Sequence, residues 1–184
     1  MADLDTNAKL GIYTLVLSRY KNLISEKESR SISEIRARVS PYNDFIRKMR
    51  DSFTSDMVPY VASNQFFVAA ERAMAYVRDI RTCEFAFTFW MEFREMDELK
   101  FGTSMDKAIL LAALLRSLES SDARVLVTKK GLAFVKFSWA GRYYFFSAGN
   151  GSLLVAEDAA QAFAGDPVAY SFNDLVYEDY EDND

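Results

Sequence analysis

The residues with most chemical potential stand at the start of an apolar segment, where Ser104, Asp106 and Lys107 follow closely after Gly102. A lysine three residues after a serine lies one helical turn away, and some hydrolases use such a lysine to take the serine proton. The Ser-Asp-Asn and Lys-Thr-Gly elements of those hydrolases are missing from the chain. We therefore interpret Lys107 as a solvated or salt-bridged residue and keep a Ser104–Lys107 hydrolase as the alternative.

The absence of histidine limits the chemistry further. Ser-His and Cys-His nucleophile pairs are excluded, and the one cysteine, Cys83, supplies neither an internal disulfide nor a zinc site. We expect Cys83 to be a small residue of the core rather than a nucleophile. Asp106 is a candidate metal ligand, but an aspartate in the first turn of a helix more often complements the helix dipole. The sequence predicts neither a metal nor a cofactor.

The composition is that of a folded acidic domain, with 184 residues, 50% of them hydrophobic, and a formal net charge of −5. Basic residues between positions 30 and 50 are interrupted by acidic ones, so we expect a solvated helical face and no surface for nucleic acid. The apolar stretches are too short to cross a bilayer, and the N-terminus lacks the pattern of a signal peptide. We predict a cytoplasmic protein that binds neither nucleic acid nor a membrane.

The elements that precede Ser104 are predicted to be mostly helical. Apolar residues spaced alternately by three and four share one face of a first helix: Leu10, Tyr13, Leu17, Tyr20 and Ile24. Ser31 and Glu34 have the spacing of a capping box, and Pro41 is predicted to open a third helix. These helices make up a predicted N-terminal helical lobe, residues 1–60. Alternating phenylalanines over residues 85–93 predict a strand.

The segment 104–118 is apolar nearly all round, which is typical of a central buried helix. After it the hydrophobic period changes to two, and turn signals separate several strands between residues 123 and 172. We predict an α+β fold in which this helix packs on an antiparallel sheet, within a core of residues 61–176. The acidic residues 177–184 are predicted to form a disordered tail.

Three segments of this core occur in a recognisable order. The first is Gly102-Thr103-Ser104-Met105-Asp106, which opens the apolar helix that runs to Leu114-Leu115-Arg116. The others are Leu132-Ala133-Phe134-Val135-Lys136-Phe137 and Gly141-Arg142-Tyr143-Tyr144-Phe145-Phe146-Ser147. They resemble the Gly-x-Cys-x-Asp helix, the His-Ala-Trp-Val-Glu-Val strand and the Gly-x-Trp-Tyr-x-x-Asp strand of transglutaminase-like proteins, which have the papain-type cysteine proteinase fold. Upstream, Trp90 resembles the tryptophan that precedes the nucleophile in that family.

The resemblance implies the fold of the family without its chemistry. The cysteine position is Ser104, the histidine position is Leu132 and the aspartate position is Ser147, so all three catalytic residue types are replaced. We therefore expect a pseudoenzyme, a non-catalytic module that binds a protein or peptide. The expected binding site is a remnant cleft lined by Ser104, Asp106, Phe134, Ser147 and Trp90. The alternatives are the Ser104–Lys107 hydrolase and a structural protein that oligomerises through the apolar face of the first helix.

Overall fold

The computed structural model describes residues 6–180, which form seven helices and eight strands. The helices are α1 (Thr6–Glu28), α2 (Ile32–Arg38), α3 (Asp44–Phe53), α4 (Ala62–Asp79), α5 (Phe93–Leu99), α6 (Ser104–Ser117) and α7 (Ala159–Ala162). The strands are β1 (Arg81–Thr82), β2 (Phe101–Gly102), β3 (Arg124–Thr128), β4 (Ala133–Trp139), β5 (Arg142–Ser147), β6 (Leu153–Ala156), β7 (Val168–Phe172) and β8 (Tyr177–Asp179). The fold is α+β, as the sequence predicts.

The described chain divides into two compact units, one of residues 6–30 with 85–90 and one of residues 31–84 with 91–180. The larger unit contains α2 to α7 and β1 to β8. Helices α2 and α3 pack on α6 within this larger unit, and the division between the units falls after residue 30.

The smaller unit consists of α1 and the phenylalanine-rich segment 85–90. Three aromatic rings of the segment contact one another, with centroid distances of 5.8, 5.5 and 6.4 Å: Phe85, Phe87 and Phe89. The Thr88 N–H donates to the Ser25 hydroxyl of α1 at 3.3 Å. The predicted strand over residues 85–93 is wrong, because no strand within residues 6–180 lies beside this segment to form a ladder with it.

Helix α6 is the central element of the larger unit. The residues from Ala108 to Leu115 are fully buried, which explains why the sequence is apolar on all sides of the helix. The helix contacts α2, α3 and α4, and it packs on β3 and β4. The predicted packing of a central helix on an antiparallel sheet is confirmed. Neither α6 nor any other helix of residues 6–180 is both long and apolar enough to cross a membrane.

The sheet has six strands in the order β6-β5-β4-β3-β7-β8, and all neighbours are antiparallel. The β4–β5 hairpin turns at Ala140 and Gly141, which both have positive φ angles, 49° and 75°. Strands β1 and β2 form a separate parallel pair, in which Arg81 lies opposite Phe101. This pair brings the chain to the start of α6, since β2 ends at Gly102.

The two faces of the six-stranded sheet are covered by different elements. On the α6 face, Phe137 of β4 is fully buried, and its ring centroid lies 5.9 Å from that of Phe66 in α4. On the opposite face, which we call the α7 face, the rings of Phe134 and Phe145 pack on Phe163 with centroid distances of 4.8 and 5.3 Å. Side chains alternate between these two faces along each strand.

Two element boundaries differ from those that the sequence predicts. Strand β8 lies within the predicted tail, where it pairs with the edge of β7, and residues 181–184 lie outside the described residues. Helix α3 begins at Asp44 and not at Pro41, because the Asn43 side chain caps it by accepting a hydrogen bond from the Phe45 N–H at 2.9 Å. The capping box of Ser31 at the start of α2 is confirmed.

Candidate functional site

The first turn of α6 is capped by the protein's own side chains. Thr103, and not Ser104, is the N-cap: its hydroxyl accepts from the Asp106 N–H at 3.1 Å and donates to Asp106 Oδ2 at 2.8 Å. Ser104 is the first helical residue and is half-buried, and its N–H donates to Glu84 Oε1 at 3.1 Å. Two N–H groups that a helix terminus leaves without a backbone partner are therefore satisfied by side chains.

Asp106 is fully buried, and its Oδ1 lies 3.9 Å from Arg38 Nη2 of α2. The same Arg38 nitrogen also donates to the carbonyl oxygen of Met91. Burial raises the pKa of Asp106, while the Thr103 hydroxyl, the Arg38 charge and a backbone hydrogen bond from Met91 act in the opposite direction. These contacts connect α6 to α2 and to the segment before α5.

Lys107 is also buried, with 3% of its surface exposed. Its Nζ donates to Thr82 Oγ1 at 3.0 Å, and Thr82 Oγ1 in turn donates to the Gly149 carbonyl oxygen at 2.6 Å. The expectation of a solvated or salt-bridged lysine is wrong, because this ammonium is bound by a hydroxyl in the interior. Burial lowers the pKa of Lys107, yet no hydrogen bond within residues 6–180 joins Lys107 to Ser104.

These two successive hydrogen bonds, from Lys107 to Thr82 and from Thr82 to Gly149, link the first turn of α6 to the turn after β5. Gly149 lies two residues after Ser147, the last residue of β5. The turn there is linked in the same way to the start of β4, since the Ala148 N–H donates to the Ala133 carbonyl oxygen at 3.1 Å. The backbone near all three predicted catalytic positions therefore belongs to one hydrogen-bonded region of the larger unit.

The side chains of the predicted cleft do not all face this region. Phe134 lies opposite Ser147 in the β4–β5 register, so both side chains lie on the α7 face, where the Phe134 ring packs on Phe163. Leu132 is 54% exposed, and its N–H donates to Thr128 Oγ1 at 3.1 Å. The first turn of α6 lies under the opposite face, so neither Phe134 nor Ser147 lines a cleft with Ser104.

Two other predictions concern residues near Ser104 in sequence. Trp90 belongs to the smaller unit, whereas Ser104 and Asp106 belong to the larger one. Cys83 is exposed, so its prediction as a core residue is wrong. Cys83 is exposed because it directly follows the exposed strand β1. Its N–H extends the pairing with β2 by donating to the Gly102 carbonyl oxygen at 3.0 Å. Within residues 6–180 no group of three or more cysteine, aspartate and glutamate side chains could hold a metal ion.

Sequence reasoning misses three residues that complete this site: Arg38, Thr82 and Glu84. Arg38 lies in the basic stretch that predicts a solvated face, yet 9% of its side chain is exposed. Thr82 and Glu84 lie about two dozen positions before the residues that they contact, in a segment without a helical period. No local pattern marks these residues, because only the parallel β1–β2 pair and the packing of α2 on α6 bring them to the helix.

The buried Asp106 predicts an unusual dependence of stability on pH. Its pKa is raised above the ordinary value of 3.8, so the folded chain binds this proton more tightly than the unfolded chain does. Protonation therefore stabilises the fold as the pH falls through the raised pKa toward 3.8. In Asp106→Asn this contribution is absent. Urea titrations give the free energy of unfolding of each variant. We expect the value for wild type minus that for Asp106→Asn to increase as the pH falls from about 7 to about 3.5.

Asp97→Asn is a control of opposite sign. The hydrogen bond from Lys100 lowers the pKa of Asp97, so its contribution to stability is present above 3.8 and is lost as the pH falls below that value. The difference between wild type and Asp97→Asn should therefore shrink at acid pH. A difference that stays constant or falls for Asp106→Asn would contradict the assignment.

Comparisons with known proteins supply no relative. No protein-family model matches the chain, and neither a curated protein nor a solved structure matches it. The conclusion that the site itself supports is structural: the first turn of α6 is a capped, internally hydrogen-bonded helix start whose charged groups hold neighbouring elements together.

Proposed function

We propose that this protein is a non-catalytic transglutaminase-like domain that binds a protein or peptide. The observation that carries the proposal is that no hydrogen bond within residues 6–180 joins the Ser104 hydroxyl, at the nucleophile position of the resemblance, to a base; the carboxylate of Glu84 accepts from the Ser104 backbone N–H instead. A serine nucleophile needs a neighbouring group to take its proton. The residue at the histidine position is Leu132, and the nearby ammonium of Lys107 is bound to Thr82.

The architecture supports the transglutaminase-like part of the proposal. A buried helix that begins at the nucleophile position packs on an antiparallel sheet, and its first turn is hydrogen-bonded to the end of β5. The strands at the second and third resembling segments, β4 and β5, are neighbours in that sheet. The order of the three segments along the chain is the one that the resemblance implies, whereas the side chain at its aspartate position, Ser147, lies on the α7 face, away from the first turn of α6.

The edge of the sheet at β6 is the surface that best suits a peptide. Within the described residues β6 pairs with β5 alone, so its outer edge presents backbone groups to which an added strand can bind. Leu154 and Val155 of β6 are exposed, and successive residues of a strand point to opposite faces. A peptide that adds to β6 would therefore find an apolar side chain on each side of the edge.

The absence of catalysis is testable directly. Wild-type protein is expected to show neither hydrolysis nor amine transfer on glutamine- and lysine-containing peptides, because no hydrogen bond within residues 6–180 joins the Ser104 hydroxyl to a base. It is also expected not to react with a fluorophosphonate at alkaline pH, as measured by intact-protein mass spectrometry. Turnover or labelling that disappears in Ser104→Ala and in Lys107→Met would overturn the proposal and establish a Ser–Lys hydrolase.

Peptide binding at β6 is tested by selecting displayed random peptides on the wild-type protein. Val155→Lys should weaken binding of the selected peptides at least about tenfold, because a charged edge disfavours an added strand. Leu175→Lys is the matched control, since Leu175 is exposed in the loop between β7 and β8. Failure to select any peptide, or equal binding by both variants, would contradict the proposed surface.

A second candidate function is self-association through α1. Large apolar side chains are exposed along this helix, and four of them continue the spacing of three and four residues that makes a coiled-coil seam: Leu10, Tyr13, Leu17 and Tyr20. The pattern spans residues 10–20, which is about one and a half heptads of a helix of 23 residues. The occupant that matches such a seam is α1 of a second copy of the chain.

Sedimentation velocity tests this second candidate. Leu17→Glu places a charge in the seam and should shift the protein toward the monomer, whereas Leu15→Glu should not. Both leucines are exposed in α1, but Leu15 lies two positions before Leu17 and thus on the side of the helix away from the seam. A wild-type protein that is monomeric at tens of micromolar, or equal effects of both substitutions, would exclude this function.

A further inference from the structure

The α7 face of the sheet carries a cavity that is separate from the first turn of α6. Its volume is about 600 Å³, within the range of small-molecule sites. The floor is formed by Leu126 of β3 and Phe163, which are both buried, and by Val168 of β7. Phe163 is fixed there by edge-on contacts with Phe134 and with Phe145. The cavity therefore has a preformed apolar floor.

The side chains that line this cavity carry a net positive charge, whereas the whole chain is net negative. Three cationic side chains line it, Arg124, Lys129 and Lys136, against the carboxylate of Glu178. The chain as a whole has a formal net charge of −5. Glu178 is already engaged, since its Oε2 accepts hydrogen bonds from Arg124 at 2.8 Å, from Tyr180 at 2.5 Å and from Ser171 at 3.4 Å.

Two of these cations lack a full set of partners within residues 6–180. Lys136 is half-buried and makes no ion pair there, and its Nζ lies 4.4 Å from the ring centroid of Tyr143. Burial, and next the charge of Arg124, lowers the pKa of Lys136. The Nε of Arg124 is buried without a hydrogen-bond acceptor. A buried donor and a half-buried ammonium without acceptors favour an anion at this position.

We propose that this cavity binds an amphipathic anion, with an apolar chain on the Leu126–Phe163 floor and an anionic headgroup at Lys136 and Arg124. The apolar chain gains the stabilisation of leaving water, and the headgroup supplies an acceptor to the half-buried ammonium of Lys136. A metal ion or a cationic ligand does not fit, because the cations outnumber the one engaged carboxylate. The proposal is independent of whether Ser104 has catalytic activity.

The test is isothermal titration calorimetry with ligands of one chain length, below their micellar concentrations. Decanoate should bind wild-type protein at least about tenfold more tightly than decyltrimethylammonium, which has the same chain and the opposite charge. Decyl phosphate is a third arm, and its affinity relative to decanoate distinguishes a phosphate ester headgroup from a carboxylate. Equal binding of the cationic and anionic ligands would overturn the proposal.

Variants locate the binding. Lys136→Met keeps the length of the side chain but removes the charge, and it should weaken decanoate binding at least about tenfold. Ala160→Trp should abolish binding, because Ala160 lines the cavity from the exposed side of α7. Lys130→Met removes a charge in the adjacent turn and should leave binding unchanged. Decanoate binding that is absent in wild type, or equal in wild type, Lys136→Met and Ala160→Trp, would contradict the proposed site.

Discussion

The larger unit is organised around two charged side chains buried in the first turn of α6. Moving an isolated carboxylate or ammonium out of water costs on the order of several kcal/mol, so each must be met by polar groups held in place. Asp106 is met by Thr103 and by Arg38 of α2, and Lys107 by Thr82 after β1 and through it by Gly149. The cost of burying these charges thus specifies how α2, the β1–β2 pair and the turn after β5 are arranged around α6.

This arrangement gives the first turn of α6 a structural role in the larger unit. A reactive helix start needs a nucleophile and a base that can change protonation during the reaction. The two ionisable side chains in this turn are both engaged within the fold: the Lys107 ammonium donates to Thr82, and the Asp106 carboxyl contacts Thr103 and Arg38.

The elements that were predictable from the sequence are those that depend on a local period. The all-round apolar segment 104–118 predicts the buried α6, and the period of two after residue 123 predicts β3 to β7. The same rule fails for residues 85–93, where alternation occurs without a neighbouring strand. It also misses β8, whose acidic residues pair because the edge of β7 is available. The contacts of Arg38 and Thr82 were not predictable, because they join positions that are distant in sequence and carry no pattern of their own.

The two faces of the sheet differ in the elements that cover them and in the charges that lie beside them. On the α6 face, fully buried residues such as Phe137 pack against helices, and at the helix start Asp106 lies beside Arg38 while Lys107 donates to Thr82. On the α7 face, a short helix anchored by Phe163 leaves an apolar floor beside cations that exceed the available carboxylates. A surface that the protein leaves incompletely paired is where an added group gains most, because it satisfies donors that already bear the cost of burial.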